Sequence, residues 1–296
     1  MNETSTVGPG HSTSAQDFGR EVEAGERFEF GENWQRFLSV LDERRIEEAE
    51  RSLTATLGVA NLEGREFLDA GSGSGLFSLA AMRLGADRVH SFDFDPSSVA
   101  CAQELRRRFF PDDGRWTVEQ GSVLDDRYLD SLGTFSVVYS WGVLHHTGDM
   151  WRAMENVDRL VEADGFLYIS IYNDQGRRSR VWRGLKRRYN ALPRFLRGPF
   201  AVAVMGPREL AGALKALLLG RPLDYVRGWT EYHRSRGMSR WHDLVDWIGG
   251  YPFEVAKPEQ VFDFYRDHGY ALMRLTTRGG GIACNEYLFR KDANPA

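Results

Sequence analysis

Two acidic side chains flank a glycine-rich segment. The segment is Phe67-Leu68-Asp69-Ala70-Gly71-Ser72-Gly73-Ser74-Gly75, and it falls between a predicted strand and a predicted helix. Glycines at such a junction permit a tight turn and let the backbone approach a ligand closely. Asp93 ends the next predicted strand, 18 residues after Gly75, where a carboxylate can accept both hydroxyls of a ribose. Asp69 precedes the glycines, and its carboxylate could hold an ammonium group.

The spacing of the glycines separates two classes of nucleoside-containing ligand. A dinucleotide-binding loop follows the pattern G-x-G-x-x-G. Here the third glycine comes one residue early, and Leu76 stands where that pattern has glycine. The spacing therefore disfavours NAD, although an NAD-type Rossmann oxidoreductase is kept as an alternative hypothesis.

A pair of histidines follows the fourth predicted strand. The segment Ser140-Trp141-Gly142-Val143-Leu144-His145-His146 leaves that strand at the sheet edge where α/β proteins bind their ligands. Either His145 or His146 could deprotonate a hydroxyl or polarise a substrate. The alternative interpretation is that both histidines pack or cap locally.

Short apolar strands alternate with helices along most of the chain. The expected strands are Glu66–Ala70, Arg88–Asp93, Trp116–Glu119, Phe135–Ser140, Phe166–Ile171, Ala271–Thr276 and Asn285–Arg290. The expected helices are Asn33–Leu57, Leu76–Leu84, one opened by Asp95 and Pro96, Met150–Val161 and Pro258–Asp267. Strands separated by helices at this spacing predict a parallel sheet with helices on both faces.

This rhythm divides the chain into five segments. We expect a disordered tail over residues 1–27, a helical cap over 28–65, a ligand-binding core over 66–172, a mostly helical lid inserted over 173–257, and a completion of the sheet over 258–296. The polar first 16 residues do not resemble a signal peptide, so a cytoplasmic location is expected. The most apolar later stretch, Phe200–Leu219, is interrupted by a proline and three charged residues, which disfavours a transmembrane span.

Composition narrows the partners only slightly. The 296 residues carry a net charge of −4, which gives no global bias toward nucleic acid or membranes. Two cysteines lack metal-site spacing, and no metal is expected. A cationic run begins the insertion, with nine Arg or Lys from Arg177 to Arg197. It is typical of a solvated helix face, but an anionic or lipid-like acceptor or a membrane surface would also suit it.

Five motifs in order give a more specific indication. The segments FLDAGSGSG, SFDFDP, QGSVLD, FSVVYSWGVLHHTGD and LVEADGFLYISIYN together resemble the motif set of the class I S-adenosylmethionine-dependent methyltransferases. The resemblance covers about Glu66 to Asn173, with a weaker match in the last two strands. It implies a seven-stranded Rossmann-like sheet whose last strand is antiparallel. It also implies S-adenosylmethionine at the carboxyl ends of the first strands.

The resemblance implies a role for individual residues. Gly71, Gly73 and Gly75 would pass under the methionine part of the cofactor, and Asp69 would help to place its amino group. The list of expected cofactor contacts is completed by Asp93 at the ribose, Ser122 and Val123 at the adenine, and Trp141 in the loop that passes the transferring methyl group. Ser122 departs from the family, which commonly has an acid there.

The expected reaction is methylation of a small molecule, with oxygen or carbon as the acceptor atom. The loop after the fourth strand lacks the Asn-Pro-Pro-Tyr type of motif, which disfavours DNA or glutamine as the acceptor. The expected substrate contacts are Trp34, Tyr172, Tyr232, His233 and His242. A non-catalytic cofactor-binding protein is a further alternative, and the sequence does not indicate an oligomeric state.

Overall fold

The structure is a computed structural model that describes residues 14–31, 34, 38, 41–230, 240–279 and 283–293. Within this part of the chain, seven strands form one mixed sheet in the order β3-β2-β1-β4-β5-β7-β6. The strands are β1 (Glu66–Ala70), β2 (Arg88–Asp93), β3 (Trp116–Gln120), β4 (Phe135–Trp141), β5 (Val161–Tyr172), β6 (Tyr270–Thr276) and β7 (Cys284–Lys291). The first five run parallel, and β7 is antiparallel to β5 and β6. The predicted seven-stranded Rossmann-like sheet is confirmed.

Helices cover both faces of the sheet. Successive residues of a strand point to opposite faces, and the apolar strand residues on each face are buried by helices. One face holds α2 (Glu43–Leu57), α3 (Leu76–Arg83) and α4 (Pro96–Phe109), and the other holds α5 (Asp126–Asp130), α6 (Met150–Asp158) and α11 (Pro258–Asp267). Phe67 packs into the first layer and its neighbour Leu68 into the second. The central strands are therefore apolar on both sides, and their carboxyl ends form a rigid edge.

The helical insertion predicted after the fifth strand is confirmed. It contains α7 (Arg177–Ala191), α8 (Arg194–Leu218), α9 (Pro222–Thr230) and α10 (Arg240–Gly249). The inner helices α7 and α10 are joined by polar contacts: the buried amine of Lys186 donates to the carbonyl of Trp247, and Asn190 Nδ2 donates to the carbonyl of Gly249 over 2.6 Å. Among the described helices, none is long and apolar enough to cross a bilayer.

Two boundaries close to residue 160 differ from the sequence prediction for one reason. β5 begins at Val161 rather than Phe166, because Val161 pairs with Phe135 of β4. The same pairing ends α6 at Asp158, three residues before the predicted end. Asp164 adopts a φ of 68° inside β5, and this irregularity separates Val161 from the part of the strand predicted to begin at Phe166.

The prediction of a disordered tail over residues 1–27 is wrong from Ser14 onward. Ser14–Glu23 form α1, and Phe18 is only 7% exposed because its ring packs edge-on against Phe94, with centroids 5.6 Å apart. Burial of this one aromatic ring stabilises a segment whose composition is otherwise polar. In the segment predicted as one helix from Asn33, Trp34 and Leu38 are helical, residues 41 and 42 are not, and α2 begins at Glu43, where the Asp42 carboxylate accepts from the Arg45 amide.

Candidate active site

The loop between β1 and α3 is held in a conformation that requires glycine. Gly71 and Gly73 have φ values of 81° and 54°, in the left-handed region that side chains disfavour. A Cβ on Gly71 would also lie 2.4 Å from Val143 Cγ1. The amides of Gly71 and Ser72 donate to the carbonyl of Phe92 over 2.8 and 3.0 Å. The loop is thereby fixed to the end of β2 before any ligand arrives.

Asp69 lies at the end of β1 and is only 2% exposed. Its Oδ2 accepts a hydrogen bond from the Ser78 hydroxyl, which accepts from Ser91 Oγ over 2.7 Å. Ser91 accepts in turn from Trp116 Nε1 over 2.8 Å. The pKa of Asp69 is raised to about 7, mainly by burial and to a smaller extent by the charge of Asp93, while the hydrogen bond from Ser78 opposes the rise. Such a carboxylate is stabilised in its ionised form by a cation placed beside it.

Asp93 lies at the end of β2 and faces the same loop. Its Oδ2 accepts from the Gly73 amide and its Oδ1 accepts from the Asp95 amide, each over 2.9 Å. Burial raises the pKa of Asp93 to about 6, an effect that these two amide donors oppose. The two backbone bonds fix the plane of the carboxylate and leave the remaining lone pairs of both oxygens for a ligand.

A cavity of about 460 Å³ connects the glycine loop, both acids and the histidine segment. Aromatic rings make up much of its wall: Phe18, Phe28, Phe30, Trp34, Phe77, Phe92, Phe94, Tyr139, Trp141 and Tyr172. The predicted site residues that line it are Trp34, Asp69, Gly71, Gly73, Asp93, Ser122, Val123, Trp141, His145, His146 and Tyr172. Gly75 lies outside the lining and begins α3, with the Cβ of Ala102 2.8 Å from where its own Cβ would be.

The two histidines occupy different environments. His145 is 0% exposed and packs between His146 and Tyr172, with ring centroids 4.5 and 4.1 Å away. Among the described residues, no hydrogen-bond partner reaches either of its ring nitrogens. His146 is half-buried, and its Nδ1 lies 2.5 Å from the carbonyl oxygen of Pro252. Because a carbonyl only accepts, Nδ1 carries the proton and Nε2 carries the lone pair.

Burial keeps both imidazoles neutral. The pKa of His145 is held well below its usual value, mainly by burial and then by the neighbouring His146. Burial also lowers the pKa of His146 to about 3, against the opposing effect of the Pro252 carbonyl. At neutral pH this end of the cavity therefore presents uncharged imidazole nitrogens.

Residues of the N-terminal segment also line the cavity. The Arg27 guanidinium lies 4.8 Å from the ring centroid of Phe94 and forms an ion pair with Glu21 over 2.5 Å. Its Nη1 also donates to the carbonyl oxygen of His146 over 3.0 Å. Arg27 thus ties the N-terminal segment to the histidine segment across the mouth of the cavity.

Among the described residues, the insertion supports the cavity wall from behind. None of the described residues from 174 to 257 lines the cavity. Phe253 and Trp247 instead pack on the outer side of Tyr172, with ring centroids 5.0 and 6.4 Å away. Tyr232 and His233, two of the predicted substrate contacts, lie outside the described residues, as does the side chain of His242. The lid assignment stays a prediction for those positions.

Two placements differ from what sequence alone indicated. Trp34, expected at the substrate, lies beside the glycine loop, with its Nε1 3.1 Å from the position of a Cβ on Gly73. Arg27 and Phe94 line the cavity but were not predicted. Phe94 directly follows Asp93, and that adjacency was an available signal. The sequence held no such signal for Arg27, because its position at the cavity depends on the packing of α1.

Within the described residues, no three His, Cys, Asp or Glu side chains are grouped so that they could hold a metal ion.

Comparison with known proteins identifies a family for the chain. The family model described as a methyltransferase domain matches residues 41–216. The chain belongs to this methyltransferase family. Its members use S-adenosylmethionine as the methyl donor, and the match spans the glycine loop, both acids and the histidine segment of this methyltransferase.

Curated relatives of the methyltransferase are similar over part of their length. The ribosomal protein L11 methyltransferase of Bacillus cereus (strain Q1) is 28% identical over 127 residues, which are 38% of this chain and 40% of the relative. That of Anoxybacillus flavithermus (strain DSM 21510 / WK1) is 27% identical over 189 residues, 60% of this chain and 58% of the relative. The chain therefore spans about half the length of these relatives.

Solved methyltransferase structures match the chain at low sequence identity. The magnesium protoporphyrin IX methyltransferase of Synechocystis PCC 6803, solved with bound S-adenosylhomocysteine, is 14% identical with a TM-score of 0.47, covering 96% of this chain and 90% of that one. A methyltransferase from Aquifex aeolicus is 13% identical with a TM-score of 0.46, covering 87% and 97%.

Proposed function

We propose that this chain transfers the methyl group of S-adenosylmethionine to a small-molecule acceptor, with oxygen or carbon as the acceptor atom. One observation carries the proposal: one continuous cavity of about 460 Å³ is lined by a buried acid, Asp69, a half-buried acid, Asp93, and two neutral histidines. The volume is in the range of cofactor and small-molecule sites. Family membership, together with the glycine spacing, argues against the NAD-type oxidoreductase.

The residues of the acidic end fit the cofactor. Asp69 would hold the ammonium group, because burial has raised its pKa and a cation would restore the ionised form. Asp93 would accept the ribose hydroxyls with the lone pairs that the amides of Gly73 and Asp95 leave free. The glycine loop would pass under the methionine part, where a side chain on Gly71 would collide with Val143.

The aromatic wall next to Asp93 fits the base of the nucleoside. Phe94 and Val123 both line this part of the cavity and offer apolar surface on which a planar ring can pack. Ser122, expected at the adenine, has its hydroxyl oxygen 3.1 Å from the Leu124 amide, from which it accepts. The hydroxyl proton of Ser122 is then its available donor for a ring nitrogen.

The histidine end fits a neutral acceptor that must lose a proton. When bound, S-adenosylmethionine supplies an electrophilic methyl group on a sulfonium, which an acceptor atom attacks in line. We assign to His146 Nε2 the hydrogen bond that orients an acceptor hydroxyl and takes its proton as attack proceeds. A neutral imidazole suits the bound state, because a protonated one would repel the sulfonium. The imidazole can take the proton as the bond from the methyl group to sulfur breaks, because the cofactor then loses its positive charge.

The remaining contribution of the chain is to exclude water. The N-terminal segment covers the cavity near Phe94, and Tyr172 is braced by Phe253 and Trp247 on the other side. A dry wall strengthens the pull of Asp69 and Asp93 on a cationic cofactor. His145 would serve as packing between His146 and Tyr172 rather than as a base, since it is fully buried.

The proposal is tested in two steps on the full chain. Titration calorimetry with S-adenosylhomocysteine and with NAD should give micromolar-range binding of the first and none of the second. The chain is then incubated with cofactor carrying an isotopically labelled methyl group and with small-molecule extracts, and mass spectrometry identifies what gains the label. Cofactor binding without any labelled product, across acceptors of all classes, would favour the non-catalytic alternative. Labelled protein or nucleic acid in place of a small molecule would overturn the acceptor class.

A further inference from the structure

Helix α8 is apolar on two opposite sides. Ala201 and Met205 are buried against the rest of the insertion, in a cluster with Leu244 and Ile248. At 3.6 residues per turn, a second set of apolar side chains falls within an arc of about 120° on the other side of the helix. That set is exposed and consists of Phe195, Val202, Leu210, Leu214 and Leu217. One apolar side of α8 is thus covered by the protein and the other is not.

The exposed side continues into the next helix. We call residues 194–230 the α8–α9 hairpin; Tyr225 holds its two arms together by donating from its hydroxyl to the carbonyl of Glu209 over 3.0 Å. From the second half of α8 through α9, six large apolar side chains are between 51% and 87% exposed: Leu214, Leu217, Leu218, Leu219, Leu223 and Val226. Contiguous exposed leucines of this kind mark an interaction surface rather than ordinary scatter.

The same part of the molecule is strongly cationic. Residues 177–227 contain thirteen Arg or Lys and two acids, Glu209 and Asp224, although the whole chain has a net charge of −4. Some of these cations form hydrogen bonds within the protein: Arg183 donates to the Phe253 carbonyl and Arg197 to the Leu192 carbonyl, each over 3.0 Å. Eight others are exposed, namely Arg177, Arg178, Arg180, Arg187, Arg188, Arg208, Lys215 and Arg227. Five of these eight lie on α7, and Arg208, Lys215 and Arg227 lie on the hairpin. At 100° per residue, Arg208 and Lys215 fall on the side of α8 away from its exposed apolar residues, as in helices that lie in a membrane interface.

We propose that the α8–α9 hairpin docks on a lipid bilayer with anionic headgroups, with its leucines in the interface and its cations at the headgroups. The argument for this occupant is charge complementarity combined with apolar exposure. A second copy docked through the same face would bring two cationic surfaces together, which like-charge repulsion disfavours. A nucleic acid would meet the cations but leave the leucines exposed. The inference does not depend on the proposed methyl transfer.

The hairpin is connected to the wall of the cavity through the inner helices of the insertion. α7 precedes the hairpin and packs on α10, whose Trp247 stacks on Trp182 with ring centroids 4.7 Å apart. Trp247 in turn packs behind Tyr172, which lines the cavity. The chain of contacts from hairpin to cavity is short and aromatic, so a membrane-held hairpin would set the orientation of the site relative to the lipid.

The test is co-sedimentation of the full chain with vesicles. One set is pure phosphatidylcholine and the other contains about 30% phosphatidylglycerol, at ionic strengths of about 0.1 and 0.5 M. We expect binding to the anionic vesicles at low salt, with affinity at least about tenfold higher than for the neutral vesicles, and weakening at high salt.

Two variants separate the apolar and the charged contributions. The double variant Leu214→Glu with Leu218→Glu should reduce binding to anionic vesicles by about tenfold or more at both salt concentrations. The double variant Arg208→Gln with Lys215→Gln should remove mainly the salt-sensitive part. Met273→Glu is the matched control, because Met273 is equally exposed on β6, away from the hairpin. Unchanged S-adenosylhomocysteine binding in each variant shows that the core is folded. A wild-type chain that binds vesicles but not S-adenosylhomocysteine would contradict the proposed function alone.

Three results would overturn the docking proposal. The first is no binding of the wild-type chain to anionic vesicles. The second is an equal loss of binding in Met273→Glu and in the leucine variant. The third is a wild-type chain that light scattering shows to be a dimer, that the leucine variant converts to a monomer, and that does not bind vesicles, since the face would then be an interface between copies.

Discussion

The two ends of the cavity are built in different ways. At the acidic end, Asp69, Gly71 and Asp93 come from consecutive strand ends of one sheet, and backbone amides hold them in place. At the histidine end, His146 depends on a carbonyl from Pro252, which lies 106 residues away along the chain. Tyr172 likewise depends on rings from the insertion.

The difference teaches where each property of the site resides. An end built by the sheet is fixed by short-range sequence and is the same for any acceptor. An end built from distant segments can change its shape by changes in those segments, while the sheet stays intact. We therefore expect substitutions at the acidic end to act on cofactor affinity, and substitutions at the histidine end to act on turnover.

The largest effect is expected for Asp69→Asn. Affinity for S-adenosylhomocysteine should fall by about 100-fold or more, because the ammonium group loses its charged partner. Without ligand, the Tm should rise by about 2–6 °C, because the folded protein no longer has to keep a buried carboxylate ionised. Calorimetry and differential scanning fluorimetry measure the two effects. Asp112→Asn, at an exposed position, is the control that should change neither; equal affinity of wild type and Asp69→Asn would remove Asp69 from the ligand site.

His146→Ala should lower turnover by roughly 100-fold while cofactor affinity stays within about twofold. His145→Ala should act mainly on stability. It removes a fully buried ring packed between His146 and Tyr172, and the cavity left behind should lower the Tm. Single-turnover kinetics, with the acceptor that the labelling experiment finds, measures the first effect. His268→Ala, which loses a ring stacked on Phe264 far from the cavity, controls for the loss of an imidazole. If His145→Ala abolished turnover with an unchanged Tm, the roles of the two histidines would have to be exchanged.

Gly71→Ala should weaken cofactor binding by about 10-fold or more, through both backbone strain and collision with Val143. Gly133→Ala is the matched control, because Gly133 has a φ of 75° but no atom within 4 Å of an added Cβ. The double variant Gly71→Ala with Val143→Ala should regain part of the affinity by making room. No recovery in the double variant would mean that strain alone accounts for the loss.

The smallest effect is expected from pH. Because the pKa values of Asp69 and Asp93 are raised to about 7 and about 6, affinity for S-adenosylhomocysteine should fall by about tenfold between pH 8 and pH 6. Both folded-state pKa values exceed those of the unfolded chain, so the folded state binds more protons between about pH 4 and pH 7. The stability of the ligand-free protein should therefore fall as pH rises through this window. Calorimetry across pH, repeated on Asp69→Asn, should show a flatter profile in the variant; an identical profile would assign the dependence elsewhere.

Sequence was sufficient for the sheet and for the acidic end because both depend on local patterns. Apolar strands between helices predicted a parallel sheet with helices on both faces, and the spacing from Gly75 to Asp93 placed the second acid at the correct strand end. These features are set by residues close together in the chain. The same holds for the helical insertion, which the absence of strand patterns after Asn173 indicated.

The histidine end could not be predicted at the same level. Sequence gave no reason to prefer His146 over His145, because the distinction comes from the Pro252 carbonyl and from the ring of Tyr172. It also missed Arg27, whose position is fixed by packing of Phe18 on Phe94. A polar segment with one buried aromatic ring has the composition of a tail, and only the tertiary contact distinguishes the two.

The hydrogen-bond chain behind Asp69 can run in only one direction. An ionised carboxylate only accepts, so the hydroxyl proton of Ser78 must point to Asp69 Oδ2 and that of Ser91 to Ser78, while the Trp116 indole donates to Ser91. Ser78 thus occupies one lone pair of Oδ2, and the remaining lone pairs of the carboxylate are open to a proton. In the proposed complex the same lone pairs would hold the ammonium group, so protonation and cofactor binding at Asp69 would compete. Trp116, in the same helical layer as α3, donates the first hydrogen bond of this chain and so holds in place the hydroxyls behind the carboxylate.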